Sequence, residues 1–369
     1  MRVLHILEAT EGGTRRHILD LLPALNARGI SCSLVYSTNR NPAFREDAEW
    51  LQANNCETHE IAMGHSWQRS HDAKALLALR SHLKANRYDV IHCHSSNAGL
   101  LGRLANASCK GSTPLVYTPH YIAFAAGLPV PQRRAARWFE KILAPKTDAF
   151  IAVSKHEFSL FQRARLSRNH NAQVIYNGVD AESFIHHSSL STHHFVIGCF
   201  GRLTRQKNQQ LLIRALPRIT REIPNVRLRL IGAGEDEKKL RALAMKLHVE
   251  QFIEWRGDVR DVQREYLLCD IIAQPSRWEG CSYALLEAAA AGRTIVASTA
   301  GGNPEVIGDA GILLPSRNPQ VWAQNIIHLA RDENQRIVFG KAARERVVSQ
   351  FRLEMMVEKT IAVYEKVTP

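Results

Sequence analysis

No two cysteines stand as Cys-x-x-Cys in this sequence, and the seven that occur, at positions 32, 56, 93, 109, 199, 269 and 281, form an odd, scattered set. That argues against a zinc ribbon or a disulfide-built fold, so free thiols in a reducing compartment are expected. No apolar run approaches the roughly 20 residues needed to cross a bilayer. The opening MRVLHIL reads as a strand and not as a leader, so a cytoplasmic protein is expected. Internal repeats and long disordered tracts are absent. No RNA- or DNA-binding signature accompanies the basic residues, which removes nucleic acid as an expected partner.

With 369 residues, 45% of them apolar and 22% charged, the chain has room for two domains, each with its own core. A net charge of +13 asks for an anionic partner. Residues 131–168 carry nine basic against three acidic side chains. Within them PQRRAARWFEKIL is amphipathic. Either it lies on a bilayer surface, or Trp138 and Phe139 face a sheet while Arg133, Arg134 and Arg137 face water. We expect inward aromatics, with a modest electrostatic attraction of the arginines to an anionic membrane.

Short β-rich segments alternate with amphipathic ones, the pattern of a parallel sheet covered by helices. Strands are expected at Arg2–Leu7, Ser31–Tyr36, Asp89–Cys93, Pro114–Thr118, Ala149–Val153 and Val174–Tyr176. Helices are expected at Thr14–Arg28, Asp72–Asn86, Ala98–Ala107, Arg133–Leu143 and Lys155–Arg163. HHSSLSTHH at 186–194 is polar and of low complexity, and reads as a linker between a first domain, 1–185, and a second, 195–352. The amphipathic end, 353–369, is a further helix.

The chemistry concentrates in residues 274–299, QPSRWEGCSYALLEAAAAGRTIVAST. Glu279 and Glu287 bracket a helix start, about 12 Å apart if the segment is helical throughout. That exceeds a glycosidase pair and suits two ends of one extended ligand, although two solvated acids beside an ordinary helix would look the same. Between them Gly280, Cys281 and Ser282 present backbone N–H groups at a helix N-terminus, a place for an anion or a ring of hydroxyls. Arg202 and Lys207 follow a buried strand, FVIGCF. Gly12 and Gly13 lie between the first strand and first helix without completing a G-x-G-x-x-G fingerprint. Gly232-Ala233-Gly234 is followed by acids and reads as a tight turn. His92, His94 and His120 invite a metal reading, since His92 and His94 form an H-x-H pair, but no further cluster of Cys, Asp or Glu completes a shell, so no metal is expected.

These segments together resemble the family-4 retaining glycosyltransferases. EGCSYALLEAAAAGRTIV resembles that family's E-x7-E motif, GRLTRQK its G-R-L-x-x-x-K, GGTRRH its glycine-rich start, and HCHSSNAGLLGR with VYTPHYIAF its fourth- and fifth-strand loops. Cys281-Ser282 stands where Phe-Gly is common and Asn208 where Gly is frequent. The resemblance implies the GT-B fold: two Rossmann-like domains facing across a cleft, with the last helix crossing back to the first domain. It implies catalytic roles for His120, Arg202, Lys207 and Glu279. Donor binding would involve Gly13, Arg202, Lys207, Gly257, Glu279, Gly280, Cys281, Ser282 and Glu287. Arg15, Arg16 and Ser95 are acceptor-side candidates. The implied reaction moves a sugar from a nucleotide diphosphate, most readily a UDP-sugar, to a glycan or polyprenyl-linked glycan of a surface polysaccharide, without a metal or other cofactor. A sugar-nucleotide epimerase of the same architecture, or a non-catalytic basic binding module, are the alternatives.

Overall fold

The computed structural model describes residues 1–64, 69–109, 113–167, 171–184, 194–259, 261–315 and 317–368. It divides into two α/β units, Met1–Asn177 with Leu353–Pro369, and Gly178–Arg352. In the first, β1 (Arg2–Leu7), β2 (Ser31–Tyr36), β3 (Glu57–Glu60), β4 (Val90–His94), β5 (Leu115–Thr118), β6 (Ala149–Ala152) and β7 (Ala172–Val174) make one sheet in the order β3-β2-β1-β4-β5-β6-β7. Every pairing is parallel. Successive residues of β1 go to opposite faces. Val3 and Leu7 pack with Ile18, Leu21 and Leu25 of the helix Gly12–Asn26, and with Met356, Val357 and Tyr364 of the helix Leu353–Val367. Leu4 and Ile6 pack on the other side with Leu101, Tyr117, Phe150 and Phe161.

The second unit repeats the plan with β8 (Phe195–Phe200), β9 (Val226–Ile231), β10 (Ile253–Gly257), β11 (Ile271–Gln274), β12 (Thr294–Ser298) and β13 (Ile312–Leu314), ordered β10-β9-β8-β11-β12-β13. In each sheet the strand order reverses once, at β1/β4 and at β8/β11. There the connections depart to opposite faces and leave a crevice at the strand carboxyl ends, where ligands of open parallel sheets bind. Gly232 and Gly234 do more than turn the chain. A Cβ on Gly232 would lie 2.5 Å from the Gly201 carbonyl, and one on Gly234 would strike the Leu203 backbone. The missing side chains let the loop after β9 lie directly on the loop after β8.

Three departures from the sequence reading have local causes. The helix Phe44–Ala53 and strand β3 were not anticipated, because the helix buries only Phe44, Ala48 and Leu51 and the edge strand is the polar ETHE. Residues 178–184, assigned above to the first domain, pack with the second unit: Val179 N–H donates to Phe351 O at 2.9 Å, and Phe184 lies edge-on to Tyr266. The linker residues 186–193 lie outside the described residues. The expected inward aromatics are corrected in one case. The helix Val130–Leu143 buries Ala136, Glu140 and Leu143, while Trp138 is 58% exposed and Ile142 48%. A buried carboxylate and a small residue took the inner face, leaving the indole outside.

That buried carboxylate is the centre of a charged group inside the first unit. The Arg103 guanidinium donates to Glu140 Oε2 at 2.9 Å, Tyr117 Oη donates to Oε1 at 2.9 Å, and the guanidinium lies 4.3 Å over the Tyr117 ring. Arg103 and Glu140 are both almost wholly enclosed. Glu140→Ala should therefore destabilise the protein by about 3–5 kcal/mol, because it strands a buried guanidinium. Urea denaturation showing a loss under about 1 kcal/mol would mean that Arg103 finds water instead.

Candidate active site

The loops after β8 and β11 meet at the strand-order reversal of the second unit. Lys207 Nζ donates to Glu279 Oε1 at 2.7 Å, with both side chains largely buried. The backbone is stitched as well. Gln206 Nε2 donates to Trp278 O at 3.0 Å, Arg277 N–H to Gln206 O at 2.8 Å, and Asn208 Nδ2 to Pro275 O at 3.1 Å. Asn208 has φ +58, a left-handed conformation in which Gly is free and Asn is tolerated, which accounts for Asn where the motif usually has Gly. Gly301, at φ +56, lies against Glu279, where a Cβ would collide with its carbonyl; Gly302 N–H donates to that carbonyl at 3.2 Å. The turn that follows β12 thus braces the acid loop.

The helix itself spans Tyr283–Ala290. Glu279 therefore stands in the loop before it, and the assumption of continuous helix between the two acids does not hold. Ser282 is the N-cap residue, but its hydroxyl makes no cap bond. Gly280, Cys281 and Ser282 lie buried between the acids. Glu287 is also buried and accepts a hydrogen bond from Tyr266 Oη at 3.0 Å, whose ring stacks on Phe200 at 3.7 Å. The two carboxylates thus have different partners, an ammonium for one and a phenol for the other. Gly257 ends β10 at φ +62, and its carbonyl accepts from Gly232 N–H at 2.8 Å. Arg202 lies in the loop immediately after β8.

In the first unit Gly13 falls in the first turn of the helix that follows β1. Arg15 pairs with Asp47 at 2.6 Å and Arg16 with Asp20 at 2.8 Å. Ser95 follows β4 at φ +82; its hydroxyl donates to Glu8 Oε2 at 3.3 Å, and Glu8 also receives Arg40 at 2.5 Å.

The histidines form a larger cluster than the sequence reading assembled. β4 aims His92 and His94 at one face, and parallel pairing sets His5 beside His92. His17 and His120 close on His94 from their own elements, so the H-x-H pair is completed by histidines and not by Cys, Asp or Glu. His5 Nδ1 lies 3.1 Å from His94 Nε2, and His94 Nδ1 lies 3.1 Å from His120 Nε2. His92 is held by Tyr364 Oη at 2.7 Å and Thr118 Oγ1 at 2.8 Å, and His17 Nδ1 by Asn177 Oδ1 at 3.2 Å. Burial, with mutual repulsion of their charged forms, lowers His5 to about 3, and burial lowers His17 to about 4. His92, His94 and His120 are also driven well below the ordinary range, by burial first and by neighbouring histidines second.

His120 owes its place to a residue that sequence reasoning passed over. His120 and Tyr121 have φ +55 and +94, two successive strained residues. The Glu157 carboxylate accepts from Tyr121 N–H at 2.6 Å and from Val153 N–H at 2.9 Å. Burial raises this carboxyl to about 7. Ser154-x-x-Glu157 has the form of a helix capping box, and Ser154 does cap its helix; the acid instead bonds the neighbouring loop.

Residues 11–183 match the glycosyltransferase family 4 model, and residues 194–332 that of the glycosyl transferases group 1. The chain belongs to the family-4 glycosyltransferases. It is 27% identical over 311 residues to the Escherichia coli UDP-Gal:alpha-D-GlcNAc-diphosphoundecaprenol alpha-1,3-galactosyltransferase, covering 79% of each. Among solved structures, Anabaena Alr3699/HepE in complex with UDP and glucose superposes with a TM-score of 0.83 at 22% identity, over 99% of this chain and 100% of that one. WaaG, a glycosyltransferase involved in lipopolysaccharide biosynthesis, gives 0.77 at 15% identity, over 98% and 99%. The glycosyltransferase has the GT-B fold of these proteins.

Acid should undo the first unit of this glycosyltransferase. Its buried histidines are neutral when folded and take up protons below about pH 6.5 when unfolded. The stability they contribute is complete above that value and is lost as pH falls, toward about 3 for His5 and about 4 for His17. Each costs about 1.4 kcal/mol per pH unit in that window. Urea denaturation at pH 7.5 and 5.0 should show His5→Gln about 2 kcal/mol less acid-sensitive than the wild type. Equal sensitivity would mean that His5 is protonated in the fold.

Proposed function

We propose that this glycosyltransferase transfers a sugar with retention from a UDP-sugar to a polyprenyl-linked or other glycan of a surface polysaccharide. The observation that carries the reading is the joined Lys207–Glu279 pair at the β8/β11 reversal. Arg202 and Lys207 take the donor diphosphate, Arg202 by a forked contact and Lys207 as a point charge. Glu279 contacts the transferred sugar and Glu287 the ribose, with Gly257 beside the base. Gly280, Cys281 and Ser282 add backbone donors. Stabilising the departing diphosphate is the main demand, and fixed positive groups in a partly desolvated site meet it. His120 is assigned to the transferred sugar and Gly13 to the donor, while Arg15, Arg16 and Ser95 are assigned to the acceptor. The relatives' names support the UDP donor and the lipid-linked acceptor. Exposed Trp138 and Ile142 among the arginines of their helix support contact with an anionic membrane.

Calorimetry with UDP and with a UDP-sugar tests the roles of the acids. Glu287→Ala should weaken both ligands by similar factors, worth about 1.5–3 kcal/mol. Glu279→Gln should leave UDP as tight or tighter, since it frees Lys207 for phosphate, yet depress transfer by at least about tenfold. Arg202→Ala and Lys207→Ala should each lower kcat/KM by at least about tenfold. Equal losses of UDP affinity in the two glutamate variants would show that the ends have been assigned wrongly.

Transfer in this reading draws its countercharge from side chains. EDTA should not lower the rate; a loss restored by magnesium or manganese would refute the proposed electrostatics.

A further inference from the structure

We propose that His17, His94 and His120 form a binding site for one divalent transition-metal ion of the zinc type. The three rings converge at the carboxyl ends of β1, β4 and β5, offering one nitrogen each, all within 4.8 Å of one another. Tetrahedral coordination at about 2.0–2.1 Å sets ligand nitrogens about 3.3 Å apart. The 3.1 Å between His94 Nδ1 and His120 Nε2 is close to that edge. Bringing the third nitrogen in needs a shift of up to about 1.5 Å, within reach of a side-chain rotation.

The outer contacts suit ligands. His17 can donate from Nδ1 to Asn177 Oδ1, which puts its lone pair on Nε2. His94 can donate from Nε2 to His5 Nδ1, which puts its lone pair on Nδ1. His120 exchanges its N–H···N bond to His94 for the metal by moving its proton to Nδ1, so no net proton is released. Burial keeps the imidazoles neutral at physiological pH, as ligands must be. The other trio, His5, His92 and His94, is poorer: both nitrogens of His92 are already held, at 2.7 and 2.8 Å. His120 is partly exposed, which gives an ion a way in. Its backbone strain is maintained by Glu157, so the ring is held at the cluster and not merely passing it. An all-imidazole set selects zinc, cobalt, nickel or copper over magnesium or calcium. If His120 serves transfer as proposed above, occupancy inhibits it; the binding itself does not depend on that reading.

The test is equilibrium dialysis of the untagged, chelator-stripped full chain against Zn²⁺, with Co²⁺ as spectroscopic probe. One equivalent should bind in the wild type, and Co²⁺ should give the intense visible bands of four-coordination. His120→Ala and His17→Ala should each weaken binding at least tenfold, with circular dichroism confirming the fold. A variant with His186, His187, His193 and His194 all changed to Ser should bind as the wild type does. No binding by the wild type, an octahedral Co²⁺ spectrum, or loss in the linker variant with retention in His120→Ala would each overturn the site.

Discussion

A single ammonium–carboxylate contact ties together the loops after β8 and β11 of the second unit. Lys207 and Glu279 are 72 positions apart in sequence, yet their contact of 2.7 Å sits where the sheet order reverses. Neither charge is well solvated there, so each is tolerable mainly because of the other. Four surrounding features serve that contact. Gly232 and Gly234 admit the loop after β9, Asn208 adopts φ +58, and Gly301 yields space to the Glu279 carbonyl. The result is a pre-set arrangement in which the lysine is already oriented, so little of its ordering would remain to be done on binding a ligand.

The first unit is organised on a different principle. Its reversal point at β1/β4 is lined by neutral imidazoles, and the strain of its fifth-strand loop is held by a buried acid on the helix that follows β6. Glu157 has a raised carboxyl because burial disfavours its charge, although three backbone N–H groups favour it. This conflict is tolerated only where the resulting loop position matters.

Much of the fold was legible because parallel strands buried on both faces read as apolar runs. Five of the seven strands of the first sheet sit within a residue or so of their expected limits, and motifs marked the loops after β8 and β11. What escaped was whatever depended on pairing across the chain. β3 is polar and lies at the sheet edge, and its helix has a thin apolar face. Trp138 could not be placed from the helix alone, because Glu140 is acceptable inside only once Arg103 and Tyr117 are there to receive it. The histidine cluster needed β1 beside β4, a register no local pattern announces.

The contrast between the units has a chemical consequence. A diphosphate needs positive charge that does not vary with pH, and lysine and arginine supply it. Imidazoles lowered to about 3–4 supply none at physiological pH; they offer lone pairs and N–H groups instead. His120 is driven well below the ordinary range too, by burial first and by His17 second. It is a neutral hydrogen-bond donor or acceptor at physiological pH, linked through His94 to His5 by ring-nitrogen contacts of 3.1 Å each. A change at His5 would then reach His120 through His94, the ring that both of them contact.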